Sequence, residues 1–207
     1  MGKSSTWLVG AVGDGHVAAW APDALPALRA AASRPETAAN WSRWREDARR
    51  GGEAVPVWGP DGLNTDEAFH LFAMLQDSPF CGRDAAGDLC PLEWLDELDD
   101  RVWPFHTFIV KDNPVAALFH GLGPDRASRL PGVAGDWLLS SDQVRAGLPD
   151  LTRTLTPVGE GARDLVLARI RDWPDVEDPV DLLDGPLRVH REAARAGLGV
   201  LAVRLWT

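Results

Sequence analysis

The 207-residue chain has no tyrosine, two cysteines, two methionines and, at Lys3 and Lys111, two lysines. Without a phenol, mechanisms that use tyrosine as acid, nucleophile or radical are excluded, among them the Tyr–Lys pair of short-chain dehydrogenases, a tyrosine recombinase and a Tyr-nucleophile sialidase. Cys81 and Cys90 are too few for a disulfide scaffold. Cys81 stands near Arg83, a cation that would lower a thiol pKa, but two free thiols are the simpler reading. No apolar run approaches the roughly 18–20 residues of a spanning helix. The opening MGKSSTWLVG lacks the apolar core and cleavage site of a secretory signal. A soluble, cytoplasmic protein is expected, without membrane association.

Metal and cofactor patterns are missing too. His16, His70, His106, His120 and His190 show no H-x3-H or H-E-x-x-H spacing, and there is no C-x2-C. No P-loop and no G-x-S-x-G elbow occurs. Gly10, Gly13 and Gly15 read G-x-x-G-x-G, the reverse of a dinucleotide fingerprint, and an ordinary tight turn is expected there. No metal and no cofactor is therefore expected.

What is abundant is acid and indole. Thirty-one Asp and Glu against 21 Lys and Arg give a formal charge of −10, which disfavours nucleic acid as a partner. Arginine's dominance over lysine, with much Ala, Gly, Pro and Asp, points to a GC-rich coding bias. The ten tryptophans are spread along the chain without a stripe. Most fall on expected helices and strands as core anchors. Trp41 and Trp44, three apart, should share one helix face. Trp58, in an irregular loop, and Trp103, before a strand, are the candidates for a ligand or partner wall.

Apolar periodicity and punctuation predict strands at 6–12, 105–111, 137–139 and 200–206. They predict helices at 22–32, 35–50, 64–76, 91–98, 113–122, from 140, at 160–173 and at 185–197. The clearest terminal signals are Asn113-Pro114, and Ser140 with Gln143 in capping-box spacing. Three Gly/Pro-rich stretches, 51–63, 78–90 and 121–135, are long enough to carry a site. Together these features predict a single α+β domain over residues 1–207, with both terminal strands in one small sheet packed by several helices.

Two histidines are candidate acid/base groups. On the 64–76 helix, 100° per residue puts Asp66, His70 and Asp77 together, opposite Phe69, Phe72, Ala73 and Leu75. An imidazole beside carboxylates can move a proton; the plainer reading is a solvated polar stripe. His106 lies in FHTFIVK, whose two apolar faces suggest an inner strand and a buried histidine. Its catalytic version would have it face the preceding acidic helix, with Asp100 as partner. In that helix Glu93 and Glu97, and Asp96 and Asp100, are i,i+4 like charges, with Asp99 beside them. A solvated face is the ordinary outcome. The crowding also suits a basic partner, so Glu93, Asp96, Glu97 and Asp99 join Trp58 and Trp103 as candidate surface. Arg188, Arg191 and Arg195 share one side of the last helix and could receive an anion, though pairing with nearby acids is the ordinary reading.

Two stretches of the C-terminal half carry a resemblance. They are NPVAALFHG with AGDWLLSSDQV, and the VHREAA helix followed by Gly197 and the strand GVLAV. They resemble the YfbM-like family of small bacterial proteins. The resemblance implies an α+β fold with terminal strands in the sheet and carries no catalytic residue with it. The chain departs from the family in lacking its aromatic Tyr positions and in its extra loops at 51–63 and 78–90. The functional expectation is a binding or accessory protein, of immunity type, for a protein or small molecule. The alternative is a small acid/base hydrolase, lyase or cyclase of bacterial specialised metabolism using His70 or His106 with a carboxylate.

Overall fold

A computed structural model describes residues 4–50, 58–59, 62–63, 66–75, 78–80, 91–110 and 112–206. In chain order the elements are β1 (Ser5–Val12), α1 (Asp14–Ala32), α2 (Pro35–Arg50), β2 (Trp58–Gly59), β3 (Gly62–Leu63), α3 (Asp66–Leu75), α4 (Pro91–Leu95), β4 (Phe105–Ile109), α5 (Pro114–Leu122), α6 (Pro124–Ala127), β5 (Trp137–Leu139), α7 (Ser141–Leu155), α8 (Ala162–Asp172), α9 (Pro179–Ala196) and β6 (Gly199–Trp206). The fold is α+β. An antiparallel sheet runs β4-β1-β6-β5, and β2 and β3 form a separate pair. The two terminal strands lie side by side, Ser5 opposite Trp206 and Val12 opposite Gly199.

Strand β1 carries apolar residues at nearly every position because helices cover both sheet faces. Trp7, Val9 and Ala11 join Phe105, Trp137, Val200 and Ala202 in the larger core, under α5, α7 and α9. Leu8, Val12, Leu138, Leu201 and Val203 face the smaller core, built from Val17, Ala24 and Leu28 of α1 with Phe80 and Trp94. Helices α2, α3 and α8 form an outer layer packed on α5. Gly121 lets α5 and α8 touch, since a Cβ there would sit 2.4 Å from Ile170 Cγ1.

Capping sets several ends as expected. The Asn113 side chain accepts from the Val115 amide with Pro114 at the first turn, and Ser140 and Gln143 complete a capping box. Other ends differ from expectation. Asp14 opens a 19-residue helix where a turn was expected, and Pro22 and Pro26 lie inside it. Each proline removes one donor, and the buried row Val17, Ala24, Leu28 and Ala31 holds the helix through both. Likewise α9 begins at Pro179, capped by Asp178, rather than at Gly185. Gly185 sits mid-helix because a Cβ there would strike the Phe105 ring. The 121–135 stretch contains the end of α5 and all of α6. On α8, Val166, Leu167 and Ile170 are buried and Leu165 is exposed. Cys81, Cys90, Asn64 and Asp77 lie outside the described residues, as do the side chains of Trp58 and Asp66.

Candidate functional site

Polar groups of the helical layer converge on α3. Glu67 Oε1 accepts from Trp44 Nε1 of α2 at 2.9 Å and from Arg169 Nη2 of α8 at 3.1 Å. The same oxygen lies 3.1 Å from His120 Nδ1 of α5, an ion-pair approach out of line for a hydrogen bond. His120 Nε2 is 3.9 Å from Asp172 Oδ2. Burial alone would raise the Glu67 pKa, but the His120 imidazole, Trp44 and Arg169 outweigh it, and the net shift is downward. One helical turn along, His70 Nε2 meets Asp47 Oδ2 of α2 at 3.3 Å. Trp44 also stacks on Phe119, 6.0 Å between ring centres, with Trp41 tilted beside both.

This corrects the expected role of α3. His70 is buried rather than on a solvated stripe, and its partner is Asp47. Ala68, Leu71, Met74 and Leu75 form the packed face, while Phe69 is exposed. Glu67 reaches to side chains of three other helices. The sequence reading missed Asp47, Glu67, His120, Arg169 and Asp172. His120 did carry a signal, as the one ionisable residue in the apolar run of α5.

Chemically, the cluster sets a carboxylate behind one imidazole nitrogen and turns the other toward Asp172, as in a carboxylate–histidine pair that orients a base. Among the described residues no hydroxyl or thiol hydrogen-bonds to His120, and no group of three His, Cys, Asp or Glu could hold a metal ion. A cleft of about 250 Å³ opens nearby between α1, α2 and α3, lined by Arg34, Glu36, Asn40, Met74 and Ala134 among others. Neither His70 nor His120 lines it.

The acidic segment is not the expected helix. Helix α4 stops at Leu95, and residues 96–100 turn back over the sheet, where the Asp99 amide donates to the Ala11 carbonyl at 2.8 Å. The i,i+4 facing of Glu93 with Glu97 and of Asp96 with Asp100 is therefore lost. Asp99 binds Arg101 through its amide, Nε and Nη2, and these bonds hold its pKa below the ordinary value. Glu97 lies 3.5 Å from His16 Nε2. Glu93, Asp96 and Asp100 are exposed and make no ion pair with a described residue.

Trp103 follows, 73% exposed, its carbonyl held by Arg188 Nη1 at 2.8 Å. Arg188 also pairs with Glu192, so it is not a free anion receptor. His106 is a second correction. Strand β4 is a sheet edge rather than an inner strand, and it buries Phe105 and Ile109 while His106 and Phe108 stay exposed. His106 makes no ion pair with Asp100 or any other described carboxylate.

Comparison with protein-family models, with curated proteins and with solved structures finds no match. Among the described residues no helix is long and apolar enough to cross a membrane.

Proposed function

We propose that this chain is a binding module, an accessory or immunity-type protein of the bacterial cytoplasm that holds a protein partner. The observation that supports it is Trp103. An indole left 73% exposed, a few residues along the chain from the exposed carboxylates Asp96 and Asp100, with Glu93 also exposed on α4, has the composition of an interface anchor with a charged rim. The charge favours a partner with a basic surface and would speed its encounter. The test is capture from the source cell followed by native mass spectrometry. A stoichiometric complex is expected, lost on Trp103→Ala and on joint Asp96→Lys and Asp100→Lys. A partner-free monomer, or a complex indifferent to those changes, overturns the reading.

A second reading, a small acid/base enzyme, draws on the Glu67–His120 contact. Its expectation moves from His70 and His106 to His120 as the proton-transfer group, oriented by Glu67. Turnover of an ester, amide or lactone panel that collapses with His120→Gln and with Glu67→Gln would support it. Turnover that survives both changes would end it.

A further inference from the structure

Resting on the binding-module reading, we infer that the outer edge of β4 is a strand-addition site for a basic, extended segment of the partner. Among the described residues nothing pairs with that edge. Sheet edges of this kind are ordinarily blunted by lysine, proline, a bulge or a covering element. Within the strand FHTFI contains neither lysine nor proline, Pro104 and Lys111 lying outside its ends, and its register against β1 runs from Ser5–Ile109 to Val9–Phe105 without a slip.

The side chains along the edge are apolar as well as open. Positions 106 and 108 point to one face by strand alternation, where Phe108 is 48% exposed, and Val110, just past the strand, is 45% exposed. Their neighbours across the ladder are the half-buried Leu8, opposite His106, and Thr6, opposite Phe108. An added strand would thus gain backbone hydrogen bonds along β4 and bury alternate apolar side chains against this face.

Charge chooses the occupant. The Asp99–Ala11 bond lays residues 96–100 along β1 just beyond the start of β4, and Trp103 stands between. Of the cations nearby, Arg101 is taken by Asp99 and Arg188 by Glu192 and the Trp103 carbonyl. A strand running along β4 toward Trp103 therefore approaches the segment that carries the exposed Asp96 and Asp100, and lysine or arginine there answers them. A second copy, pairing β4 with β4, would leave those acids unanswered and join two chains of formal charge −10.

The test is a random dodecapeptide display library selected on the intact protein. Enriched peptides are expected to alternate apolar residues and to carry lysine or arginine toward one end. A synthesised winner should bind at least about tenfold more weakly after Phe108→Lys, and likewise after joint Asp96→Lys and Asp100→Lys. N-methylation of alternate peptide amides, which keeps the side chains but removes the ladder, should abolish binding. These three side chains are exposed, so the variants keep the fold.

Failure to enrich any peptide, enrichment of acidic or helical ones, or indifference to N-methylation overturns the inference. A dimer in native mass spectrometry that Phe108→Lys dissociates replaces the basic segment with a second copy. Partner capture that needs Trp103 but not Phe108 overturns strand addition while leaving the binding-module reading standing.

Discussion

Arg204 and Asp136 form an ion pair that solvent does not reach, their side chains 1% and 0% exposed. Arg204 Nε and Nη2 both donate to Asp136 Oδ2, at 2.9 and 2.7 Å, and the Arg204 amide donates to Oδ1 at 2.7 Å. Nη1 donates to the carbonyl of Leu75, the last residue of α3. Burial pushes the Asp136 pKa up, opposed by the guanidinium, the amide and Ser78. One pair thus ties β6, the segment before β5 and the end of α3, the helix that carries Glu67 and His70.

Removing one partner should be worse than removing both. Asp136→Asn removes the paired carboxylate charge from a buried guanidinium and should destabilise by about 3–5 kcal/mol. Joint Asp136→Leu and Arg204→Met replaces the pair by apolar bulk and should be less destabilising than the single change. Urea unfolding of the two variants and the parent makes the comparison.

The Glu67 cluster should behave as a network. In a double-mutant cycle Glu67→Gln and Trp44→Phe are expected to be non-additive by about 0.5–3 kcal/mol, because both remove the same 2.9 Å bond. Equal and additive losses in chemical denaturation would mean that the contact contributes nothing.

Gly121→Ala should destabilise by about 1–3 kcal/mol through overpacking, because its new Cβ lands on Ile170. Ile170→Ala in the same chain opens the space, so the pair should lose less than the sum of the two single changes. Midpoints of thermal unfolding for the four proteins measure this.

Stability should fall on mild acidification. His190 is buried, its Nδ1 lies 2.7 Å from the Pro186 carbonyl, and burial lowers its pKa to about 4. The unfolded chain binds that proton near pH 6.5 and the folded one only near 4. The contribution is therefore complete above pH 6.5 and is lost as pH falls toward 4, about 3 kcal/mol in all. His190→Gln should flatten the stability profile across that window. Glu67, whose folded pKa is depressed, adds its own loss at lower pH, below the ordinary glutamate value.

Much of the fold was legible because the signals were local. Asn113-Pro114, Ser140 with Gln143, and the short apolar run around Trp7 act within a few residues, and each marks the element observed. Misjudged ends came where tertiary burial overrode punctuation, as at Pro22 and Pro26, or where glycine marked close packing rather than a terminus, as at Gly185. The candidate site was less legible. Glu67, Trp44, His120 and Arg169 come from four helices, so no spacing along the chain announces them. The packed face of α3 is rotated from the expected one for the same reason: Leu75 is buried as expected, but periodicity identifies only a stripe, and the neighbouring helices decide that His70 turns inward and Phe69 outward. His106 was misplaced because an edge strand that leaves apolar residues exposed and an inner strand read alike in sequence.

The adjacency of β1 and β6 has a consequence for synthesis. Of the described strands of this sheet β1 leaves the ribosome earliest, yet its neighbours are β4 and β6, the last of them to emerge. At roughly 5–20 residues per second, the most apolar early segment waits on the order of ten seconds or more for the strand that completes its ladder. Until β4 emerges Trp7, Leu8 and Val9 have no partner in their own sheet, and until β6 emerges they have one on one side only. A nascent chain of this topology should lean on a chaperone until β6 emerges.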